Sequence, residues 1–167
     1  PAAIALHNVM KESLDELALR KAIFPAETVQ PIRAALLKAY RQNEMLLFRR
    51  ALNGRVRRCH GDLHLRNIVL QGNVPVLFDA IEFDESIATI DIVYDLAFLI
   101  MDLHERGLHA HACRLLNHYL WLSNDELEEI GGLALLPLFL SLRATIRAKI
   151  LATQADFAAD GVQFRAE

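Results

Sequence analysis

The sequence predicts an α+β fold that is mostly α, and three observations carry that expectation. Apolar residues recur at helical spacing over most of the chain. Between Arg55 and Asp84 that period lapses into short strand-like runs separated by turn residues. Hydrophobic residues make up 53% of 167 positions, which suits one domain, 1–167, around a large buried core.

A helix opens the chain, with Asn8 or Ser13 as its cap and Leu14, Leu17 and Ala18 repeating before Pro25. A longer helix is expected from about Thr28 to Asn53. There Ile32, Leu36, Ala39, Leu46 and Leu47 follow a helical period, Pro31 suits the first turn, and Gly54 ends it. Both helices read as packing elements. Val56 to His60, Asn67 to Leu70 and Val74 to Phe78 read as strands, the last two joined through Gln71-Gly72-Asn73 as a hairpin. The helical period then returns from Ile90 to Arg106 and from Leu108 to Trp121, with Ser123 capping a short helix, and again from about Leu133 to Ala155. Helices around a small central β-ribbon are neither an alternating βαβ chain nor a repeat array.

Composition excludes several functions. Eighteen basic against 21 acidic residues give a net charge of −3, so neither a nucleic-acid binder nor a polybasic membrane anchor is expected. Cys59 and Cys113 are too few for a disulfide scaffold and suit a reducing, cytoplasmic setting. The apolar run Ile130–Leu142 is interrupted by Gly131, Gly132 and Pro137 and is shorter than the roughly 20 residues that span a bilayer. It reads as a buried, broken helix. No signal peptide is visible, and a start at Pro1 suggests an excised piece. A mean hydropathy of +0.20 is high for such a domain, as though part of the apolar surface faced something outside the chain.

Chemistry concentrates in 58–70 and 76–84. His60, Asp62, His64 and Asn67 fall in one short irregular segment, and Asp79 ends an apolar strand. If the strands pair, Asp62, Asn67 and Asp79 converge, with Asn67 and Asp79 at opposite, open ends of the ribbon. A carboxamide beside a carboxylate is a hard-oxygen site of the kind Mg²⁺ shares with phosphates, and a further carboxylate can take a hydroxyl proton. Plainer readings compete. His60, Asp62 and His64 alternate, so a strand would place them together as zinc ligands, although Gly61 and the downstream Asn and Asp argue otherwise. His104, His109, His111 and His118 lie in helical stretches and read as ordinary surface or core residues. Asp91 reads as a cap or solvated residue, while Asp95, followed by Leu96 and Ala97, reads as pointing inward. Asp125, Glu126, Glu128 and Glu129 read as an exposed first helical turn, against a patch for a cationic substrate. Tyr119 and Trp121 read as core.

His60-Gly61-Asp62-Leu63-His64-Leu65-Arg66-Asn67 resembles the catalytic loop of small-molecule kinases, the aminoglycoside phosphotransferase and choline kinase-like family. Phe78-Asp79-Ala80-Ile81-Glu82-Phe83 resembles that group's metal-binding segment, and Asp91-Ile92-Val93-Tyr94-Asp95-Leu96-Ala97 its following helix start. The closest likeness is to bacterial phosphotransferase-like proteins often fused to a P-loop kinase domain. No G-x-x-x-x-G-K-[ST] occurs here, so any such domain lies outside this chain.

The resemblance implies a C-terminal, helical lobe of a protein-kinase-like fold and ATP-dependent phosphoryl transfer to a hydroxyl of an unidentified small molecule. It implies Asp62 as the catalytic base, Asn67 and Asp79 as holders of Mg²⁺, and His60, His64 and Asp95 as support for phosphate or loop. Glu82 and Arg66 are further contributors it suggests. A complete kinase also needs a phosphate-covering loop and a strand Lys paired to a helix Glu. The seven glycines are scattered and Lys11, Lys21 and Lys38 lie in helical patterns, so the N-terminal nucleotide-binding lobe is expected to be absent and this piece inactive alone. The competing expectation is a non-catalytic kinase-like module that binds a nucleotide or partner and regulates a fused enzyme.

Overall fold

A computed structural model describes residues 2–123 and 125–163; the reading of Pro1 lies outside them. Helix α1 (Ala2–Leu19) begins well before Asn8 and Ser13, which fall inside it, because Ala2, Ala3, Ala5 and Leu6 are strong helix formers. Helix α2 (Ala26–Leu52) starts two residues earlier than the sequence suggests and so takes Pro31 into its interior. Strand β1 (Val56–Arg58) follows. A 3₁₀ turn at Leu65–Asn67 then leads into a hairpin of β2 (Ile68–Gln71) and β3 (Val74–Leu77), registered Ile68 opposite Leu77. The hairpin matches expectation.

The next segment does not. A one-turn helix α3 (Glu85–Ala88) runs into strand β4 (Thr89–Asp91), which pairs antiparallel with β1, Val56 opposite Asp91. Ile90 therefore lies in a strand, and α4 (Ile92–Glu105) begins later because Asp91 caps it, its carboxylate accepting the Val93 N–H at 2.8 Å. Helix α5 (His109–Leu122) ends at Ser123, and Asp125 in place of Ser123 caps α6 (Glu126–Gly132), accepting from Glu128 N–H. A 3₁₀ turn at Leu133–Leu135 separates α6 from the long α7 (Leu136–Gln163), the interruption expected of this apolar run. By length and composition the helical stretch Leu127–Asp156 would suffice to cross a membrane. In this fold its Leu135, Leu138, Phe139 and Leu142 are instead buried in the core.

That core gathers Met10 and Leu14 of α1, Leu36 and Leu47 of α2, Val93, Tyr94 and Ala97 of α4, Leu135 of the second 3₁₀ turn, and Leu138, Phe139 and Leu142 of α7. A second cluster joins Leu96, Leu99, Ile100 and Leu103 of α4 to Ala112 of α5, and Leu63, Leu65 and Ile68 pack onto it. Helix α4 thus serves both clusters, which explains why every residue from Val93 to Ile100 is buried.

One ionic cluster is sealed between the elements. Arg50 is wholly buried; its Nε and Nη2 donate to Asp91 at 2.8 and 2.9 Å, and Nη2 also to Glu129 at 3.1 Å. Tyr119 donates to the same Glu129 carboxylate at 2.8 Å, and Arg55 lies 3.2 Å from its other oxygen. Glu129 is therefore a core residue, not part of an exposed acidic turn, and Asp91 is a buried ion partner as well as a cap. Gly132 is required beside them, since a Cβ there would fall on the Arg50 guanidinium.

Removing one partner from this cluster leaves a buried charge short of compensation. Asp91→Ala is expected to cost about 3–5 kcal/mol in urea unfolding followed by circular dichroism. Arg58→Ala, which breaks only the exposed pair with Glu85, should cost no more than about 1 kcal/mol.

Candidate functional site

The segment from His60 to Asn67 is irregular, so its shape must come from outside itself. Two carboxylates on α4 supply it. Asp95 accepts the N–H groups of His60 and Gly61, each at 3.0 Å, and Asp102 accepts that of Leu65 at 2.9 Å. The two lie seven residues apart on one face of α4 and so hold the loop on either side of Asp62. Burial raises the Asp95 carboxyl above the ordinary carboxylate range; Arg143 and the two N–H groups pull the other way without restoring it. Burial also opposes ionisation of Asp102, but there the Leu65 N–H, Arg106 and Arg147 outweigh it and hold the carboxyl below the ordinary range.

Helix α7 closes the back. Arg143, 7% exposed, stacks on the rings of Tyr94 and Phe98 at 3.9 and 4.8 Å. It donates to the carbonyls of Tyr94 and Gly61 at 3.3 and 3.4 Å and lies 3.8 Å from Asp95. Arg147, one turn on, donates to Asp102 at 2.9 Å. Gly61 sits at φ +83°, and a Cβ there would press on Ile81, so glycine is demanded by both backbone and space.

Within the loop, the Asn67 amide donates to the Asp62 backbone carbonyl at 2.9 Å and to its carboxylate Oδ2 at 3.1 Å. His64 Nδ1 accepts the Arg66 N–H, so its proton sits on Nε2, which lies 3.3 Å from the same Oδ2. Its ring also stands edge-on to Phe98. Both donors therefore occupy one Asp62 oxygen. Among the described residues nothing donates to Asp62 Oδ1 or to Asn67 Oδ1, and both remain available as acceptors.

Asp79 enters from the hairpin. The Phe78 N–H donates to the Asn67 carbonyl at 3.1 Å, which extends the ladder past Leu77 and Ile68. Asn67 and Asp79 consequently flank the same end of the ribbon. The expectation of opposite ends is corrected, because an antiparallel hairpin sets the start of one strand beside the end of the next. His60 Nε2 donates to the Phe78 carbonyl at 2.9 Å, and the Ile81 N–H to the His60 carbonyl at the same distance, tying both segments together. Asp79 takes φ +61°, a left-handed conformation uncommon for a non-glycine residue. It lines an open cleft of about 640 Å³ with Asp62 and Glu82.

Of the residues singled out from sequence, His60, Asp62, His64, Asn67, Asp79, Glu82 and Asp95 meet in one region. Arg66 is exposed and contributes a backbone N–H. The zinc arrangement is not met: His60 and His64 turn to different partners, and among the described residues no three His, Cys, Asp or Glu side chains are grouped to hold a metal ion. A carboxamide and a carboxylate, as in Asn67 and Asp79, are the donor types that a hard cation shared with phosphate uses, and such a cation needs fewer protein ligands. Asp125, Glu128 and Glu129 are paired with Arg55, Arg49 and Arg50, so they form no free acidic patch, and Trp121 is exposed, not core. Sequence reading missed Asp102, Arg143 and Arg147. The readable signal was two acids seven apart on an otherwise apolar helix, matched by two arginines four apart on another.

Arg143 is the leading influence holding the Asp95 carboxyl down. Replacing it with Met should move the Asp95 titration further upward, read by carboxyl ¹³C NMR. An unchanged titration would show that Arg143 is not its counter-ion.

Comparison with known proteins agrees with this geometry. A model of the phosphotransferase enzyme family matches residues 4–131, from α1 to the end of α6. No curated protein and no solved structure gave a match. With most of its length matched and a loop of this geometry inside the match, the chain belongs to the phosphotransferase enzyme family, the aminoglycoside phosphotransferase and choline kinase-like group of kinases.

Proposed function

We propose that this chain is the catalytic lobe of an ATP-dependent phosphotransferase acting on a hydroxyl of a small molecule. The observation that carries the reading is the arrangement of Asp62 and Asn67. Asn67 fixes the Asp62 backbone and one carboxylate oxygen, leaving Asp62 Oδ1 for a proton, while its own backbone carbonyl holds the strand end that carries Asp79. In the transfer, the acceptor oxygen attacks the terminal phosphorus of ATP, the bond to the leaving ADP breaks, and Asp62 takes the hydroxyl proton. Family members generally use ATP and Mg²⁺; Asn67 and Asp79 are the residues that would hold Mg²⁺, which supplies charge neutralisation on the phosphates when bound. His64 and Asn67 orient the Asp62 carboxylate, and His60 and Asp95 keep the loop in register with Asp79. Glu82 stands in the same cleft as a further support.

The lobe that would cover the nucleotide is assigned to sequence outside this chain. The hairpin supports that assignment. Val69, Leu70, Val74 and Leu77 are exposed on it, and Phe78 and Phe83 beside it, an apolar surface next to the cleft of the kind a second lobe would cover. A fused P-loop domain, if the longer protein has one, also lies outside.

The test is ATP turnover with Mg²⁺ by the longest natural product containing this segment, compared with its Asp62→Asn variant. Turnover should fall at least ~100-fold. Asp79→Asn should raise the Mg²⁺ concentration needed for half-maximal rate. Equal turnover in parent and Asp62→Asn would assign the ATPase to another domain and leave this lobe a binding module.

A further inference from the structure

Asp62 belongs to two cavities of opposite character. One is the polar cleft it shares with Asp79 and Glu82. The other, about 360 Å³, lies on its far side between α1, the 81–90 segment, α4 and α7, and meets the cleft at Asp62 and Ile81. Its size falls in the range of small-molecule sites. Leu6, Val9, Ile87, Ile90, Phe98 and Ile146 are among its walls, so most of what a ligand would touch is hydrocarbon.

Three of the charged groups in that wall are paired. Asp91 is bonded to Arg50, Arg143 faces Asp95, and Lys149 reaches Glu16 at 3.3 Å. Glu12, exposed at the rim, and Asp62, which faces the cleft as well, are the wall carboxylates with no Lys or Arg partner among the described residues. A cationic ligand would lose its hydration against walls that are mostly hydrocarbon, and the exposed Glu12 at the rim, screened by water, would return little of it.

We infer that this cavity binds an uncharged alcohol with a hydrocarbon body, its hydroxyl end directed to Asp62. The inference rests on the phosphotransferase reading for the role of that alcohol as acceptor, and on the cavity alone for its chemical class. It sets a dry acceptor side against a wet phosphate side, with the proton-accepting carboxylate between them.

The test is isothermal titration calorimetry of the 167-residue chain, without nucleotide, against butanol, hexanol and octanol, with glycerol and choline as polar and cationic probes. Saturable binding of one equivalent is expected, tightening by about fourfold per added methylene until the cavity is filled. Glycerol and choline should bind far more weakly. Ala5 is an exposed residue of the wall, so Ala5→Phe should fold normally, as checked by circular dichroism, and weaken octanol at least about tenfold by occupying its space. Leu70→Ser, on the hairpin, should leave octanol binding unchanged.

Choline binding in preference to octanol would overturn the inference, as would octanol binding that survives Ala5→Phe or disappears with Leu70→Ser. These outcomes are independent of catalysis. Octanol bound in the expected way by a chain whose longer form shows no Asp62-dependent turnover would uphold the ligand class and remove the phosphotransferase reading. Turnover on polyols without octanol binding would do the reverse.

Discussion

Everything at the candidate site depends on how an irregular loop is hung from a helix. Residues 60–67 include no regular ladder to fix them, yet Asp62 and Asn67 must keep one relative position to be useful. Two carboxylates of α4 solve this by accepting backbone N–H groups on either side of Asp62. Carboxylate-to-amide hydrogen bonds are stronger than neutral ones, and they act directly on the backbone. The loop's own Leu63 and Leu65 add to this by packing onto Leu96, Leu99 and Leu103 below.

Such a device works only if α4 itself cannot move. Its N-terminus is locked by Asp91, which is at once helix cap, strand residue and ion partner of Arg50. Its apolar faces are shared between two clusters, and α7 lies along it with Arg143 and Arg147 aimed at Asp95 and Asp102. The arginines answer charges that burial would otherwise oppose. Asp95 shows how narrow that balance is, since burial still prevails over its partners.

Local chemistry was readable from sequence wherever one short segment determined it. The hairpin followed from Gln71-Gly72-Asn73 between two apolar runs, and the grouping of His60, Asp62, Asn67 and Asp79 followed from their spacing along the loop and that hairpin. What escaped were effects that need two distant segments at once. Strand β4 exists because β1 is there to pair with it; nothing in Thr89-Ile90-Asp91 alone distinguishes it from the first turn of a helix. Glu129 looked like one of four exposed acids because the guanidinium that buries it lies on α2. Arg143 sits just past the apolar run, in a stretch read only for its helical period, and its role depends on Tyr94, Phe98 and Gly61, none of them near it in sequence.

The same distinction bears on what the site can do. A proton acceptor is useful in phosphoryl transfer when the nucleophile reaches it without competing water, while the phosphates remain in a polar, cation-bearing environment. Here the separation is built into the position of one residue. On one side of Asp62, helices α1 and α7 contribute aliphatic side chains; on the other, the end of the ribbon contributes Asp79 and the exposed Glu82. Ile81, which packs against Gly61, stands where the two meet. Gly61 thus has three roles in a single backbone unit. Its N–H hangs from Asp95, its carbonyl accepts from Arg143, and its missing side chain lets Ile81 close the boundary between the dry and wet halves. Any larger residue there would have to displace Ile81 and adopt an unfavourable φ, so the loop's suspension and the partition of the site are one constraint.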